Sequence, residues 1–128
     1  MGPTWSRPMD RTIIIIEDEP AILDSYATLL RIEGYKVEKA KNGLKGWELI
    51  QKWNPDLIIT DLSIPILNGE ELIEKVRKSQ RFSEIPILVL SASIGDFDLE
   101  KYSRVYWLNK PVPFKVVISR LKEILSSE

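Results

Sequence analysis

The stretch Leu57–Gly69 reads LIITDLSIPILNG. Its first four residues are apolar or β-branched with no polar alternation, which marks a strand covered on both faces, as in a parallel sheet. Asp61 follows the run directly, and the spacing D-x-x-x-P-x-x-x-G then runs through Pro65 to Gly69. Working outward, two runs of the same kind lie at Thr12–Ile16 (TIIII) and Ile87–Leu90 (ILVL). A fourth is VYWL at Val105–Leu108, and a shorter amphipathic one lies at Tyr35–Lys39.

Segments with helical spacing separate these runs. Pro20–Glu33 places Ile22, Leu23, Tyr26, Leu29 and Leu30 at three- and four-residue steps, with a proline at its start and Gly34 as a stop. Leu44–Trp53 follows Asn42-Gly43, and Gly69–Ser79 carries Leu72, Ile73 and Val76. Ile94–Tyr102 is a short, weakly patterned helix candidate. Val112–Ser126 presents Phe114, Val117, Ile118, Leu121 and Leu125 on one side, with Pro113 near its start. Five strands, each followed by a helix, predict an α/β fold in which a parallel sheet lies between two helix layers.

The chain has 128 residues, enough for one domain; 44% are hydrophobic and 29% charged. Residues 1–10 (MGPTWSRPMD) read as a loose N-terminal extension or a cloning scar, and the domain is expected over residues 11–126. Net charge is −1, so no basic footprint for nucleic acid or an anionic membrane is present. With no cysteine and no histidine, disulfides, thiolate metal sites and imidazole chemistry are excluded. No apolar run approaches the ~18 residues needed to span a bilayer, and no signal peptide is evident. A cytoplasmic protein is the default expectation.

In a sheet of this kind, ligands bind outside the carboxyl ends of the strands. The first strand ends in Glu17-Asp18-Glu19, the third in Asp61, the fourth in Ser91-Ala92 and the fifth in Asn109-Lys110-Pro111. Taken singly, each has a bland explanation. Asp18 caps a helix, Asp61 starts a turn, Ser91 is a small turn residue and Lys110 is a solvated surface charge. Together they gather carboxylates, a hydroxyl and an ammonium at one edge. Packed carboxylates repel, so either a pKa rises or a cation binds. Oxygen ligands without His or Cys suit a hard ion, Mg²⁺ above all, with Mn²⁺ as a substitute. A metal beside a carboxylate and a lysine is the equipment of phosphoryl transfer, and a carboxylate is a competent nucleophile for it.

With these residues in place, the chain resembles the receiver domains of two-component response regulators over about residues 10 to 126. The resemblance rests on Glu17-Asp18, the Asp61–Gly69 segment, Ser91-Ala92 and Lys110-Pro111, in that order at strand ends. It implies a flavodoxin-like, doubly wound five-stranded sheet of order 2-1-3-4-5 with helices on both faces. It further implies Asp61 as phosphoacceptor. Mg²⁺ would be held by Asp18, Asp61 and the Ser63 main-chain carbonyl, with Glu17 acting through water. Ser91, the Ala92 backbone and Lys110 would bind the phosphoryl group. Lys110 would pair with Asp61 at rest, and the Lys110-Pro111 bond would be cis. Ser91 and Trp107 would form the switch, the aromatic swinging inward behind the serine. Trp107 departs from the usual Tyr or Phe, being larger and donating only through N–H, and the alternative is a ring packed permanently between the last strand and the last helix.

The partners implied are a sensor histidine kinase or phosphotransfer protein as donor and a downstream target. The target's face would run past Tyr102, Tyr106 and Trp107, with homodimerisation open. Such a chain is not an enzyme acting on an external substrate. Phosphatases of the haloacid dehalogenase type place a second Asp two residues after the nucleophile, where this chain has Ser63. A flavin carrier needs a Gly- and hydroxyl-rich loop after the first strand, and Glu17-Asp18-Glu19-Pro20 would repel its phosphate. A degenerate receiver would lack key positions that are all filled here. The remaining alternative is context: the receiver part of a longer DNA-binding regulator.

Overall fold

A computed structural model describes residues 11–126, so the expectation for residues 1–10 lies outside the described residues. Five strands form one parallel sheet: β1 (Thr12–Ile16), β2 (Lys36–Ala40), β3 (Leu57–Thr60), β4 (Ile87–Ser91) and β5 (Val105–Asn109), ordered β2-β1-β3-β4-β5. Four helices cover it: α1 (Pro20–Ile32), α2 (Gly43–Trp53), α3 (Gly69–Lys78) and α4 (Phe114–Ser126). The flavodoxin-like, doubly wound architecture and the 2-1-3-4-5 order are therefore those expected.

Period-2 alternation within the apolar strands feeds two cores. Ile14, Ile16, Ile58, Ile87 and Val89 point to one face, where α2 and α3 bring Leu49, Ile50, Leu72, Ile73 and Val76. Ile13, Ile15, Leu57, Ile59, Leu88 and Leu90 point to the other, against Leu23, Ala27 and Leu30 of α1 and Val117, Leu121 and Leu125 of α4. Strands that must satisfy both cores cannot carry a polar face, which is why TIIII, LIIT and ILVL read as unbroken runs. β2, at the edge, keeps alternation, with Lys36 and Lys39 exposed.

The helix starts have local causes. Asn42 accepts the Lys45 N–H at 2.7 Å and caps α2. Asn68 and Glu71 form a reciprocal capping box at α3, with both bonds at 2.9 Å. α1 begins at Pro20, and the side chain of Glu19 makes no capping bond.

One expected element is absent. Ile94–Tyr102 was expected as a helix, but the structure has only a 3-10 turn at Leu99–Lys101. Gly95 takes a positive φ of 55°, and Asp98 caps that single turn through the Glu100 N–H at 3.1 Å. The apolar residues here serve tertiary packing instead. Phe97 is buried and stacks on Tyr102, with centroids 5.9 Å apart and ring planes 17° from parallel. The expectation of one helix after each strand is corrected accordingly.

The loop from β3 to α3 is held in place by close approach of α2. Ile66 and Leu67 both have positive φ (59° and 84°), a costly conformation for side-chain-bearing residues that persists only when the surroundings impose it. The Gly43 N–H donates to the Pro65 carbonyl at 3.2 Å, and a Cβ on Gly43 would lie 1.6 Å from the Leu67 carbonyl oxygen. Gly43→Ala must therefore push back the loop that follows Asp61. A loss of about 2 kcal/mol in urea unfolding is expected, the usual scale of overpacking against backbone. Unchanged stability would mean that the loop and α2 are not in contact.

Candidate functional site

The carboxyl ends of β1, β3, β4 and β5 converge on one pocket. Lys110, just past β5, sends its Nζ to Asp61 Oδ2 at 2.8 Å and to Glu17 Oε1 at 3.0 Å. Glu17 is 6% exposed, an uncommon burial for a carboxylate, and its second oxygen accepts the Glu19 N–H at 3.1 Å. Asp61 is half-buried, and its Oδ1 accepts the Ser63 N–H at 3.0 Å. Its position is fixed from several sides. The Asp61 N–H reaches the Ile16 carbonyl at 3.4 Å, and the Thr60 hydroxyl donates to the Asp61 carbonyl at 2.8 Å. Gly69 packs so closely that a Cβ there would meet the Asp61 carbonyl oxygen at 2.6 Å.

The electrostatic balance is one ammonium against two carboxylates. Burial alone would push the Lys110 pKa down. Hydrogen bonds to Asp61 and then Glu17, with their negative charges, outweigh that and hold it above the ordinary lysine value. Asp18 is exposed, and no hydrogen bond or ion pair among the described residues engages its carboxylate. Among the described residues no three acids lie close enough together to hold a metal by themselves. Two converging carboxylates, a neighbouring free one and main-chain oxygen still fit Mg²⁺. This ion typically takes one or two carboxylates and fills its remaining positions with water and phosphate oxygens. A soft or nitrogen-seeking metal does not fit, because the donors are all oxygen.

The β4–β5 side supplies the polar remainder. Ser91 is 4% exposed, and its Oγ donates to the Ser93 carbonyl at 2.9 Å rather than toward Asp61. Ala92 beside it is exposed. The Ser91 carbonyl accepts the Lys110 backbone N–H at 3.1 Å and the Trp107 indole N–H at 3.0 Å. Trp107 is half-buried, and the Lys110-Pro111 peptide bond is cis. Tyr102 and Tyr106, expected on the target's face, are both half-buried. The first stacks on Phe97, and the second lies under the Arg120 guanidinium at 5.2 Å.

The structure thus brings Glu17, Asp61 and Lys110 into direct contact and sets Ser91 on β4 and Trp107 on β5 beside them. Asp18 lies nearby without touching them. Two features were not read from the sequence. One is the direct Glu17–Lys110 pair, since the partner expected for Lys110 is Asp61 alone. The other is the doubly bonded Ser91 carbonyl. The burial of Glu17 had a signal, its position immediately after a strand covered on both faces. A carbonyl acceptor has none, because every residue carries one.

Fold and pocket together define a class: doubly wound α/β domains whose strand-end site sets a buried acid and a half-buried Asp around a lysine. The chain belongs to the response regulator receiver domain family, whose pattern matches residues 13–122. These domains are signalling modules of two-component systems, and in general they are switches rather than substrate-turnover enzymes. The chain is 34% identical over 119 residues to the DNA-binding dual master transcriptional regulator RpaA of Synechocystis, covering 88% of this chain and 48% of that protein. It is 30% identical to hybrid signal transduction histidine kinase D of Dictyostelium discoideum over 89% of this chain and 8% of that one. Among solved structures, chemotaxis response regulator CheY4 of Vibrio cholerae superposes with a TM-score of 0.82 at 25% identity, covering 89% of this chain and 98% of that one. The chain spans about half the length of RpaA, so that protein's activity as a whole is not carried over.

Proposed function

We propose that this receiver domain is a phosphorylation-driven switch in which Asp61 accepts a phosphoryl group from a phosphohistidine and the change alters partner binding. The observation that carries the reading is the convergence of Glu17 and Asp61 on the Lys110 ammonium. An Oδ of Asp61 forms the new O–P bond as the P–N bond to the donor imidazole breaks, and the departing imidazole takes a proton from solvent. Asp18, Asp61 and the Ser63 carbonyl would hold Mg²⁺, with Glu17 acting through water, and the ion would neutralise charge on the phosphoryl oxygens. Lys110 is already within contact of Asp61, so it can follow the charge onto the phosphoryl group, while the Ser91 hydroxyl, once turned away from the Ser93 carbonyl, and the Ala92 N–H would bind the remaining oxygens. These 128 residues contain no histidine, so the phosphohistidine donor lies outside them, on a sensor kinase or a phosphotransfer domain.

Magnesium is present in the active site cleft of one structural neighbour, the receiver domain of the Pseudomonas aeruginosa sensor histidine kinase PA1611. At 23% identity that likeness speaks for the fold alone. The output face is assigned to Tyr102, Tyr106 and Trp107. The addition of about two negative charges at Asp61 is enough to bias a two-state element there. Cytoplasmic location follows from the partners proposed; the structure contributes only that no described helix is long and apolar enough to cross a membrane. A second reading of context, the receiver portion of a DNA-binding regulator, is favoured by the match to RpaA.

Incubation with acetyl phosphate tests the proposal. One phosphoryl group per chain is expected in Mg²⁺ and none in excess EDTA, read by intact mass. Labelling indifferent to EDTA would remove the metal from the proposal. Steady phosphate release from many added esters would replace the switch with a hydrolase.

A further inference from the structure

The Ser91 carbonyl oxygen is a junction between the two strands that supply the phosphoryl ligands proposed above. One lone pair takes the backbone N–H of Lys110 at 3.1 Å and the other the indole N–H of Trp107 at 3.0 Å. Register places Ser91 opposite Asn109 and Val89 opposite Trp107, so the indole reaches from β5 toward the end of β4, along the seam leading to the pocket. The ring already packs against the core on the Ile14, Ile58 and Val89 face of the sheet. An indole has one donor and no acceptor, so this bond uses the entire polar capacity of Trp107. Ser91 itself is buried, with its hydroxyl turned to Ser93 at 2.9 Å.

We infer that Trp107 is a positioning residue whose indole N–H clamps the Ser91 carbonyl and fixes the spacing of Ser91 and Lys110 around the phosphoryl group. This rests on the reading of Asp61 as phosphoacceptor, and it departs from the swinging aromatic that the family resemblance implies. A ring that swings must give up its only hydrogen bond and leave a half-buried donor unpaired. A ring that stays lets the switch run through the serine side chain alone. Rotation about χ1 carries Oγ from the Ser93 carbonyl to a phosphoryl oxygen while the Ser91 backbone is held. Phe or Tyr at this position has no ring N–H to make such a bond.

The test uses beryllofluoride, a phosphoryl mimic, titrated with Mg²⁺ against the full chain. Trp107→Phe removes the donor. Replacement of Trp107 by 3-benzothienylalanine removes it while keeping the ring's shape, which guards against a variant that simply unfolds. Both are expected to bind beryllofluoride about fivefold more weakly, the scale of one net hydrogen bond. The affinity for Mg²⁺ alone and the melting temperature of the isosteric variant should stay unchanged. In the unaltered chain the Trp107 indole N–H should remain slow to exchange with solvent when beryllofluoride binds. Unchanged beryllofluoride affinity in both variants would overturn the clamp, as would an indole N–H that becomes exchange-labile on binding. Equal loss of Mg²⁺ affinity and stability in the isosteric variant would reduce Trp107 to packing. Failure of the unaltered chain to bind beryllofluoride at all would instead sink the phosphoacceptor reading, and the clamp with it.

Discussion

Asp61→Asn is expected to abolish phosphoryl addition from acetyl phosphate in Mg²⁺ while leaving the folded domain intact. A carboxamide oxygen is not a nucleophile toward phosphorus, and no second group stands in the same place. Glu17 is buried and already engaged by Lys110 and by the Glu19 N–H, whereas Asp18 makes no contact with the lysine. The structural bonds at position 61 survive the change. An Asn side-chain oxygen still accepts from the Ser63 N–H, and the Thr60 hydroxyl bonds the main chain, not the side chain. Lys110 retains Glu17 as its counter-ion, so stability should change by about 1 kcal/mol or less. Intact mass reads the first outcome and urea unfolding the second. Labelling that persists in this variant would move the acceptor to another acid and remove the basis of the proposed switch.

Lys110→Met should lower stability by about 2–3 kcal/mol in EDTA and make the domain's melting temperature strongly dependent on Mg²⁺. The ammonium is the shared counter-ion of Glu17 and Asp61, and its removal leaves two adjacent carboxylates, one buried, with no cation. Stripping one partner from a buried pair costs about 3–5 kcal/mol. The Lys110 side chain is 24% exposed, and the value is scaled down because solvent screens part of the interaction. The Lys110 pKa is raised in the fold, so the pair's stabilisation is complete below the ordinary lysine range. It fades only as pH climbs through the raised value, and the difference between the two proteins should therefore be flat across neutral pH. A divalent ion entering the vacated position adds stability as its concentration exceeds the dissociation constant. The variant should thus recover in Mg²⁺ by more degrees than the unaltered chain gains. Equal stability of the two proteins in EDTA would show that the carboxylates do not depend on the lysine.

Much of this could be read without coordinates, and the reason lies in the strands. Burial on both faces forces TIIII, LIIT and ILVL to be continuous and β-branched, and that continuity identifies a parallel sheet. Once the strands are located, Glu17, Asp61, Ser91 and Lys110 fall at their carboxyl ends by counting, which is where such folds place their chemistry. Ile94–Tyr102 could not be settled in this way. Its apolar residues are few, Gly95 breaks the backbone, and Phe97 and Tyr102 are spent on each other rather than on a helical stripe.

The sequence by itself determined the class of fold, the strand ends and the kinds of side chain gathered there, because each of these follows from periodicity within a dozen residues. Only the tertiary structure decided which of the acids touch Lys110, since that depends on how far apart residues separated by 49 and 93 positions come to rest. It also decided that Gly43 must be bare beneath Leu67 and that one Ser91 carbonyl serves both Trp107 and Lys110. Each of those contacts ends on a main-chain carbonyl, which every residue possesses, and no residue identity announces it.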